Sequence, residues 1–423
     1  MNLDKVILVI PVDRIDFNPL TYPPLGLLYI AAALEKEFVV EVFDMREEYN
    51  TIDKIGEADY YGFTATTSQF DDVLYCVNFL KRKNKKSFYF IGGSHASWMY
   101  EEIKHDFNAT IVGEADLQII DILKSKKEGV FYCNLKKENL DEIPFPARHL
   151  MLSNRIVSSD LWDGEGYQKE NCSTLATTLI TSRGCPWKCS FCANIPQKVN
   201  YRSEENIIKE IEKIIEEYTC RNFRFLDDNF LMNKKRLFQL LPMLKTKNIS
   251  YRCSGRSDLI DDNICKLLYE SGCKEIGFGV ETADDEVLKL INKGESVEEH
   301  ERAIKLAKQN NLRVKIFMMA GLPLESWETI EKNKRFIEKT QPDKVIVTLF
   351  TPYPGSDAYR FPEKYKIKIK QDEWKSFFQT YPSKSIISTD KCSSEELTEH
   401  HETMINFLLD FNKKNKYDLL KQK

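Results

Sequence analysis

No apolar run in this 423-residue chain is long enough to cross a bilayer. The longest, Leu25 to Leu34, is about half of what a membrane-spanning helix needs. Positive charge is not in excess either. Lys and Arg number 61 against 65 Asp and Glu, and the net charge is -4. That balance argues against binding nucleic acid through bulk charge. A secretory leader is missing from the start, where the apolar stretch is short and cut by Pro11. Eleven cysteines without such a leader suit a reducing compartment, so a cytoplasmic protein is expected.

What is present is led by three cysteines at C-x3-C-x2-C spacing. Cys185, Cys189 and Cys192 lie in SRGCPWKCSFCAN, residues 182–194. The apolar run 177–181 before them predicts a buried strand, with the cysteines on the loop at its carboxyl end. A four-iron cluster normally takes four thiolates. Three leave one iron without a protein ligand, open to a small chelating molecule. Structural zinc asks for four ligands, usually in two separated pairs, and no Cys or His pair completes one. Gly184 allows close backbone approach, Pro186 stiffens the turn, and Phe191 can shield a cluster from water. The other cysteines (Cys76, Cys133, Cys172, Cys220, Cys253, Cys265, Cys273 and Cys392) form no second cluster in sequence and read as small core residues.

Hydrophobic content of 42% and charged content of 30% describe an ordinary globular chain, long enough for two or three domains. Continuous apolar strands are predicted at 5–12, 39–43, 60–64, 88–91 and 109–112. Helices are predicted at 27–36, 69–83, 100–106 and 116–127. This alternation implies a doubly wound parallel sheet, which binds ligands at the carboxyl ends of its strands. Those ends carry Thr64 and Thr66, then Gly92 and Gly93, then Gly113 and Glu114. His95 follows in GGSHAS, where a loop hydrogen bond is expected of it rather than metal ligation. The basic run 81–86 ends a helix and is read as solvated. Prolines and glycines mark irregular chain from about 136 to 170, including IPFPAR and DGEGY.

Beyond the cysteine loop, strands are predicted at 223–226, 250–253, 275–280, 313–319 and 344–349. Ser296 and Glu299 form a capping-box signal for the helix that follows. With the strand before the cysteines this makes six strand–helix units, a partial (β/α)6 barrel with its site at the carboxyl strand ends. The fold class is therefore α/β, with a doubly wound sheet, a partial barrel and a small C-terminal helical region. The expected domains are 1–140, a linker at 141–172, the barrel at 173–355 and an extension at 356–423. The extension is aromatic (Trp374, Phe377, Phe378, Tyr381), ends in a capped helix to about Lys414, and is expected to close the barrel and shape a substrate pocket. Frayed residues follow.

The cysteine spacing, with an aromatic residue before the last cysteine, resembles the signature of the radical S-adenosylmethionine (SAM) superfamily. The resemblance implies one 4Fe-4S cluster whose open iron binds the amino and carboxylate groups of SAM, and whose electron cleaves SAM to a 5′-deoxyadenosyl radical. The segments around Arg256, Glu281, Gly321–Pro323 and TPYPG at 351–355 look like that family's runs at matching strand ends. Glu281 and Asp228 would then suit the ammonium and hydroxyls of SAM, and Arg256 its carboxylate. Adenine would lie on the backbone of Gly321 to Pro323.

Thr64-x-Thr66 followed by Gly92-Gly93, the PPLG turn at 23–26, and the GGSHAS and VGEAD segments resemble cobalamin-dependent members of that superfamily. The cobalt-ligating D-x-H-x-x-G motif is missing: the loop after the first strand, 12–17, contains no histidine. Cobalamin would then be held without an imidazole ligand, by Thr64, Thr66, Gly92, Gly93, Gly113 and Glu114.

The resemblance implies an enzyme that takes hydrogen from an unactivated carbon and methylates it, with a second SAM renewing the methyl group on cobalamin. The substrate is expected to be a small molecule, lipid or peptide, and an external donor such as flavodoxin or ferredoxin supplies electrons. Ring formation or rearrangement with the same cofactors is the alternative. A methylthiotransferase would carry more cluster cysteines and a basic C-terminal module. A simple electron-transfer or sensor protein leaves an open iron and polar strand ends without purpose.

Overall fold

Lys5–Ile10 (β1) is apolar at five successive positions, which suits a strand covered on both faces. It lies between β2 (Val39–Asp44) and β3 (Tyr60–Thr64), parallel to both. With β4 (Phe88–Gly92), β5 (Ala109–Gly113) and β6 (Gly129–Cys133) the sheet runs β2-β1-β3-β4-β5-β6. Every pairing in it is parallel. The order reverses at β1, and sheets of this kind bind ligands outside the carboxyl ends at such a reversal.

The structure is a computed structural model that describes residues 3–12, 22–47, 51–134, 140–158, 175–193, 198–370, 373–380 and 383–414. Outside them lie the loop residues 13–21, parts of the expected linker (136–139 and 159–170), Cys172, Asn194, Tyr381 and the expected frayed end from 415. The chain divides into two units. One holds Met1–Ile156 with Glu373–Lys375, and the other holds Val157–Ala193, Gln197–Asp372 and Ser376–Lys423.

Two features of the first unit differ from expectation. The sheet has a sixth strand, β6, in register with β5 from Ala109↔Gly129 to Gly113↔Cys133. Its short run Val130-Phe-Tyr-Cys133 is a strand signal that the sequence reading passed over, and as an edge strand it leaves Tyr132 exposed. The helix expected at 100–106 begins at Ser94 and ends at Ile103. Its start is set by Gly93, whose φ of 92° breaks the strand direction, and whose carbonyl accepts the Ser97 N–H at 3.0 Å. GGSHAS is therefore a strand end and a first helical turn, not a loop.

In the second unit each new strand joins the same growing edge. The order is β7 (Ala176–Leu179), β10 (Asn222–Phe225), β11 (Ser250–Gly255), β12 (Cys273–Glu281), β13 (Arg313–Ala320) and β14 (Lys344–Leu349). The short antiparallel pair β8 (Ser182–Arg183) and β9 (Asn200–Tyr201) flanks the cysteine loop. Without a reversal of order, right-handed crossovers place the helices on one face, and the sheet curls into a half-barrel. Phe223, Tyr251, Ile276, Phe278, Val314 and Ile316 are fully buried. The helix Glu204–Tyr218 presents Ile207, Ile208, Ile211 and Ile214 to the core and is capped by Ser203. The predicted capping box of Ser296 and Glu299 is present on the helix Val297–Gln309. The last helix, Ser394–Lys414, reaches β14, where His401 Nε2 lies 3.4 Å from the Val347 carbonyl. Among the described residues no helix is long and apolar enough to cross a membrane.

Candidate functional site

β7 ends at Leu179, two residues before the predicted end, because Thr181 turns from the ladder to a side chain. The Thr181 N–H and hydroxyl donate to Asp227 at 3.1 and 2.6 Å, and the Ser182 hydroxyl donates at 2.5 Å. Asp228 next to it accepts the Gly184 N–H at 2.8 Å. The acidic pair after β10 thus anchors the entry to the cysteine loop. For Asp228 this is a concrete role, different from the SAM contact expected of it.

The loop itself is held at four more points. Ser190 donates its N–H to the Ile291 carbonyl at 2.8 Å and accepts the Ala358 N–H at 2.9 Å. The Asn292 amide donates to the Lys188 carbonyl at 2.7 Å. The Arg256 guanidinium lies 4.6 Å from the Trp187 ring centre. Cys185 and Cys189 are partly buried and Cys192 is exposed. Burial pushes the Cys189 thiol up to about 11 and raises that of Cys185. Both are therefore thiols at neutral pH until a metal displaces their protons. Among the described residues no three His, Cys, Asp or Glu side chains converge as a single metal ion would require. A cubane binds each thiolate through a different iron, so its sulfurs stand further apart. Three thiols on one pinned, half-exposed loop fit that group.

Glu281 ends β12 at a register shift, with φ of 65°. A bulge re-aims the side chain it carries, and left-handed backbone at a non-glycine residue tends to accompany function. Its Oε1 accepts the Lys293 ammonium at 2.7 Å. Arg256 is placed differently from expectation. Its Nε and Nη2 donate to Asp258, Nη1 to the Lys293 carbonyl and Nη2 also to the Gly294 carbonyl. It also faces Glu295 at 3.4 Å. Its fork is already taken by the Asp258 carboxylate, so this arginine braces the segment around Lys293 and Gly294 instead of offering free donors to a ligand.

Gly321 and Pro323 are buried. A Cβ on Gly321 would lie 3.1 Å from the Leu349 side chain and 3.7 Å from the Leu397 Cβ. The bare backbone expected to receive adenine is thus covered by β14 and the last helix. The Gly321 N–H donates to Glu325, which also meets His400 Nδ1 at 2.9 Å. Sequence reasoning missed Lys293 and Glu295, both buried beside Glu281 and Arg256. Their only signal was a charged NKGE segment just ahead of the recognised cap.

The first unit gathers its residues at the carboxyl ends of β3, β4 and β5. Thr64 ends β3, and a Cβ on Gly93 would meet its hydroxyl at 2.6 Å. Thr66 caps the short turn that follows, exchanging hydrogen bonds with Gln69. Gly113 has a structural reason to be glycine. Its φ is 90°, and a Cβ would lie 2.1 Å from the Cys133 carbonyl oxygen of β6. The Glu114 N–H donates to that same oxygen at 3.1 Å. Gly92 alone of these glycines would accept a Cβ without a clash, at an ordinary 3.9 Å contact with Ile111. Gly93 beside it is exposed, so this strand end leaves room for a bulky ligand. His95 is in the first helical turn, buried against Phe70 and the edge of Trp374. Its Nδ1 lies 3.3 Å from the Thr67 hydroxyl, and burial lowers its pKa to about 4. It is a neutral core histidine with the hydrogen bond expected, though on a helix.

Residues 19–122 match the B12 binding domain and residues 179–337 the Radical SAM superfamily. The chain carries a B12-binding domain followed by a radical SAM domain. It is similar to an uncharacterized methyltransferase of Pyrococcus horikoshii, 28% identical over 85% of this chain and 83% of the relative. It is also similar to an anaerobic magnesium-protoporphyrin IX monomethyl ester cyclase of Rubrivivax gelatinosus, 22% identical over 80% of this chain and 66% of the cyclase. Among solved structures it resembles the radical SAM methyltransferase TsrM from Kitasatospora setae, which holds cobalamin and a 4Fe-4S cluster. That likeness has a TM-score of 0.66 at 15% identity and covers 88% of this chain and 78% of TsrM, which speaks for a shared fold.

The SAM contact expected of Glu281 is testable. Alanine there would remove every hydrogen-bond acceptor on this side of the buried Lys293 ammonium and leave a gap beside it, which is costly in its own right. Glu281→Gln keeps the shape and removes the charge. Its SAM dissociation constant is expected to rise about tenfold, as for loss of a charge-assisted hydrogen bond. Iron content, measured in parallel, is expected to stay at the wild-type value.

Proposed function

We propose that this chain cleaves SAM reductively and, with cobalamin, methylates an unactivated carbon of a small-molecule, lipid or peptide substrate. The observation that carries the reading is the three-cysteine loop, pinned at the end of β7 by Asp228, Ile291 and Asn292. In this reading Cys185, Cys189 and Cys192 hold the cluster, and Glu281 receives the ammonium of SAM. Thr64, Gly92 and Gly93 border the cobalamin. The first sheet, to about residue 140, is the cobalamin domain, and the half-barrel at about 173–355 is the SAM domain. When bound, the cluster supplies the electron that breaks the sulfonium bond, and cobalamin carries the methyl group. The chain's own share is to fix the loop, hold the SAM zwitterion and keep water from a reactive radical. A flavodoxin or ferredoxin supplies the electron from outside.

The test is anaerobic reconstitution with iron, sulfide and hydroxocobalamin, followed by reduction with SAM present. The expected result is bound cobalamin in the visible spectrum together with 5′-deoxyadenosine. A methyl transfer renewed from SAM adds S-adenosylhomocysteine in equal amount. Protein that yields no 5′-deoxyadenosine when its cluster is reduced overturns the proposal. The similarity to the Rubrivivax cyclase favours a second reading, ring formation. It predicts 5′-deoxyadenosine without S-adenosylhomocysteine once substrate is turning over.

A further inference from the structure

Lys293 lies in the segment Ile291–Glu295, between the helices Asp285–Leu290 and Val297–Gln309. It is buried, with Nζ 2.7 Å from Glu281 Oε1 and 3.5 Å from Glu295 Oε2. Burial by itself lowers its pKa, but the charges around it, led by those two carboxylates, outweigh burial and hold it above the ordinary lysine value. The ammonium also lies 5.9 Å from the ring centre of Phe191, within the cysteine loop.

A buried lysine with carboxylate partners is often only an internal ion pair. Three observations set this one apart. The same five-residue segment grips the cysteine loop on both sides of Cys189, through Ile291 to Ser190 and Asn292 to Lys188. Its carboxylate partner, Glu281, holds the unusual φ of 65° at the strand-end shift. Finally, β12 leaves room for the pair. A Cβ on Gly279 would lie 2.5 Å from Glu281 Oε1 and 2.8 Å from Lys293 Nζ.

We propose that Lys293 is a positioning residue of the cofactor site, aiming the Glu281 carboxylate at SAM and placing positive charge beside the cysteine loop. The inference rests on the reading of Cys185, Cys189 and Cys192 as cluster ligands and of Glu281 as a SAM contact. A cation beside a cluster favours its reduced, more negative state, and so raises its reduction potential. Two effects should follow from one side chain, on SAM affinity and on potential.

The experiment compares wild type, Lys293→Met and Lys293→Arg after anaerobic reconstitution. It records iron per chain, SAM dissociation constant and the midpoint potential from a spectroscopic titration. Lys293→Met keeps the aliphatic stem and removes the charge. It is expected to retain full iron, bind SAM about tenfold more weakly and shift to a more negative potential. Lys293→Arg is expected to return the potential towards wild type, which a role in packing alone would not do. Full iron with unchanged potential and SAM affinity in Lys293→Met overturns the inference and leaves the cluster assignment standing. If Lys293→Met takes up no iron, Lys293→Arg decides. A loaded cluster at wild-type potential there supports the role of charge, and failure to load shows that shape alone matters and overturns it. Wild-type protein that assembles no cluster would strike down the cluster assignment itself, before any variant is read.

Discussion

Replacing Cys185, Cys189 and Cys192 together with alanine is expected to abolish both the brown iron–sulfur chromophore and 5′-deoxyadenosine formation. Wild type should hold about four irons and four sulfides per chain after anaerobic reconstitution, the content of one cubane. The fold should survive the change, because the loop is held by bonds that use none of the three sulfurs as donors: Gly184 to Asp228, Ser190 to Ile291 and Asn292 to Lys188. Among the described residues, six of the remaining cysteines are poor substitutes. Cys76, Cys133, Cys220, Cys253, Cys265 and Cys273 are buried, and burial pushes Cys76 and Cys265 up to about 12. Circular dichroism and iron analysis on the same preparation check this. Unchanged iron in a folded triple variant would sink the assignment.

Gly92→Leu is expected to cost the protein its cobalamin while sparing the rest. The Cβ added at Gly92 makes only an ordinary 3.9 Å contact with Ile111, so the new side chain starts at the carboxyl end of β4 without a clash and without the strain of a positive φ. Melting should therefore stay near wild type. Cobalamin retained through gel filtration should fall to background, while iron content and 5′-deoxyadenosine formation persist. Gly93 is a poorer probe. Its φ of 92° with ψ of −172° is a conformation that only glycine adopts readily, at a penalty of about 1–3 kcal/mol for other residues. A Cβ there would also press on the Thr64 hydroxyl. Loss of cobalamin in a Gly93 variant would mix blocked binding with a distorted strand end. A Gly92→Leu protein that keeps cobalamin at wild-type occupancy would remove this strand end from the site.

The local chemistry of the chain was legible because it is written in short spacings. The C-x3-C-x2-C loop needs only eight residues to place three thiols together. The central strands announce themselves as apolar runs, since a strand buried on both faces cannot alternate with polar residues. The capping box at Ser296 and Glu299 closes within one helical turn for the same reason of short range. These features specify two parallel α/β layers and a thiolate loop at a strand end.

Only the tertiary structure decided what the strand-end residues do. β6 had the signal Val130-Phe-Tyr-Cys133, but a run of four could not be told from a buried turn or helix end until the β5 backbone paired with it. Gly113 is glycine because the Cys133 carbonyl approaches it, a contact between residues twenty apart. Arg256 looked like a fork for the carboxylate of SAM, yet the fold gives that fork to Asp258 and wraps the carbonyls of Lys293 and Gly294 around it. Lys293 passed unread in the sequence, and it is β12, with a glycine at 279, that leaves space for it to reach Glu281. Sequence determines which charges and glycines are available, but burial determines which charges must pair. Burial is a property of the packed strands and helices together, and no window of neighbouring residues contains it.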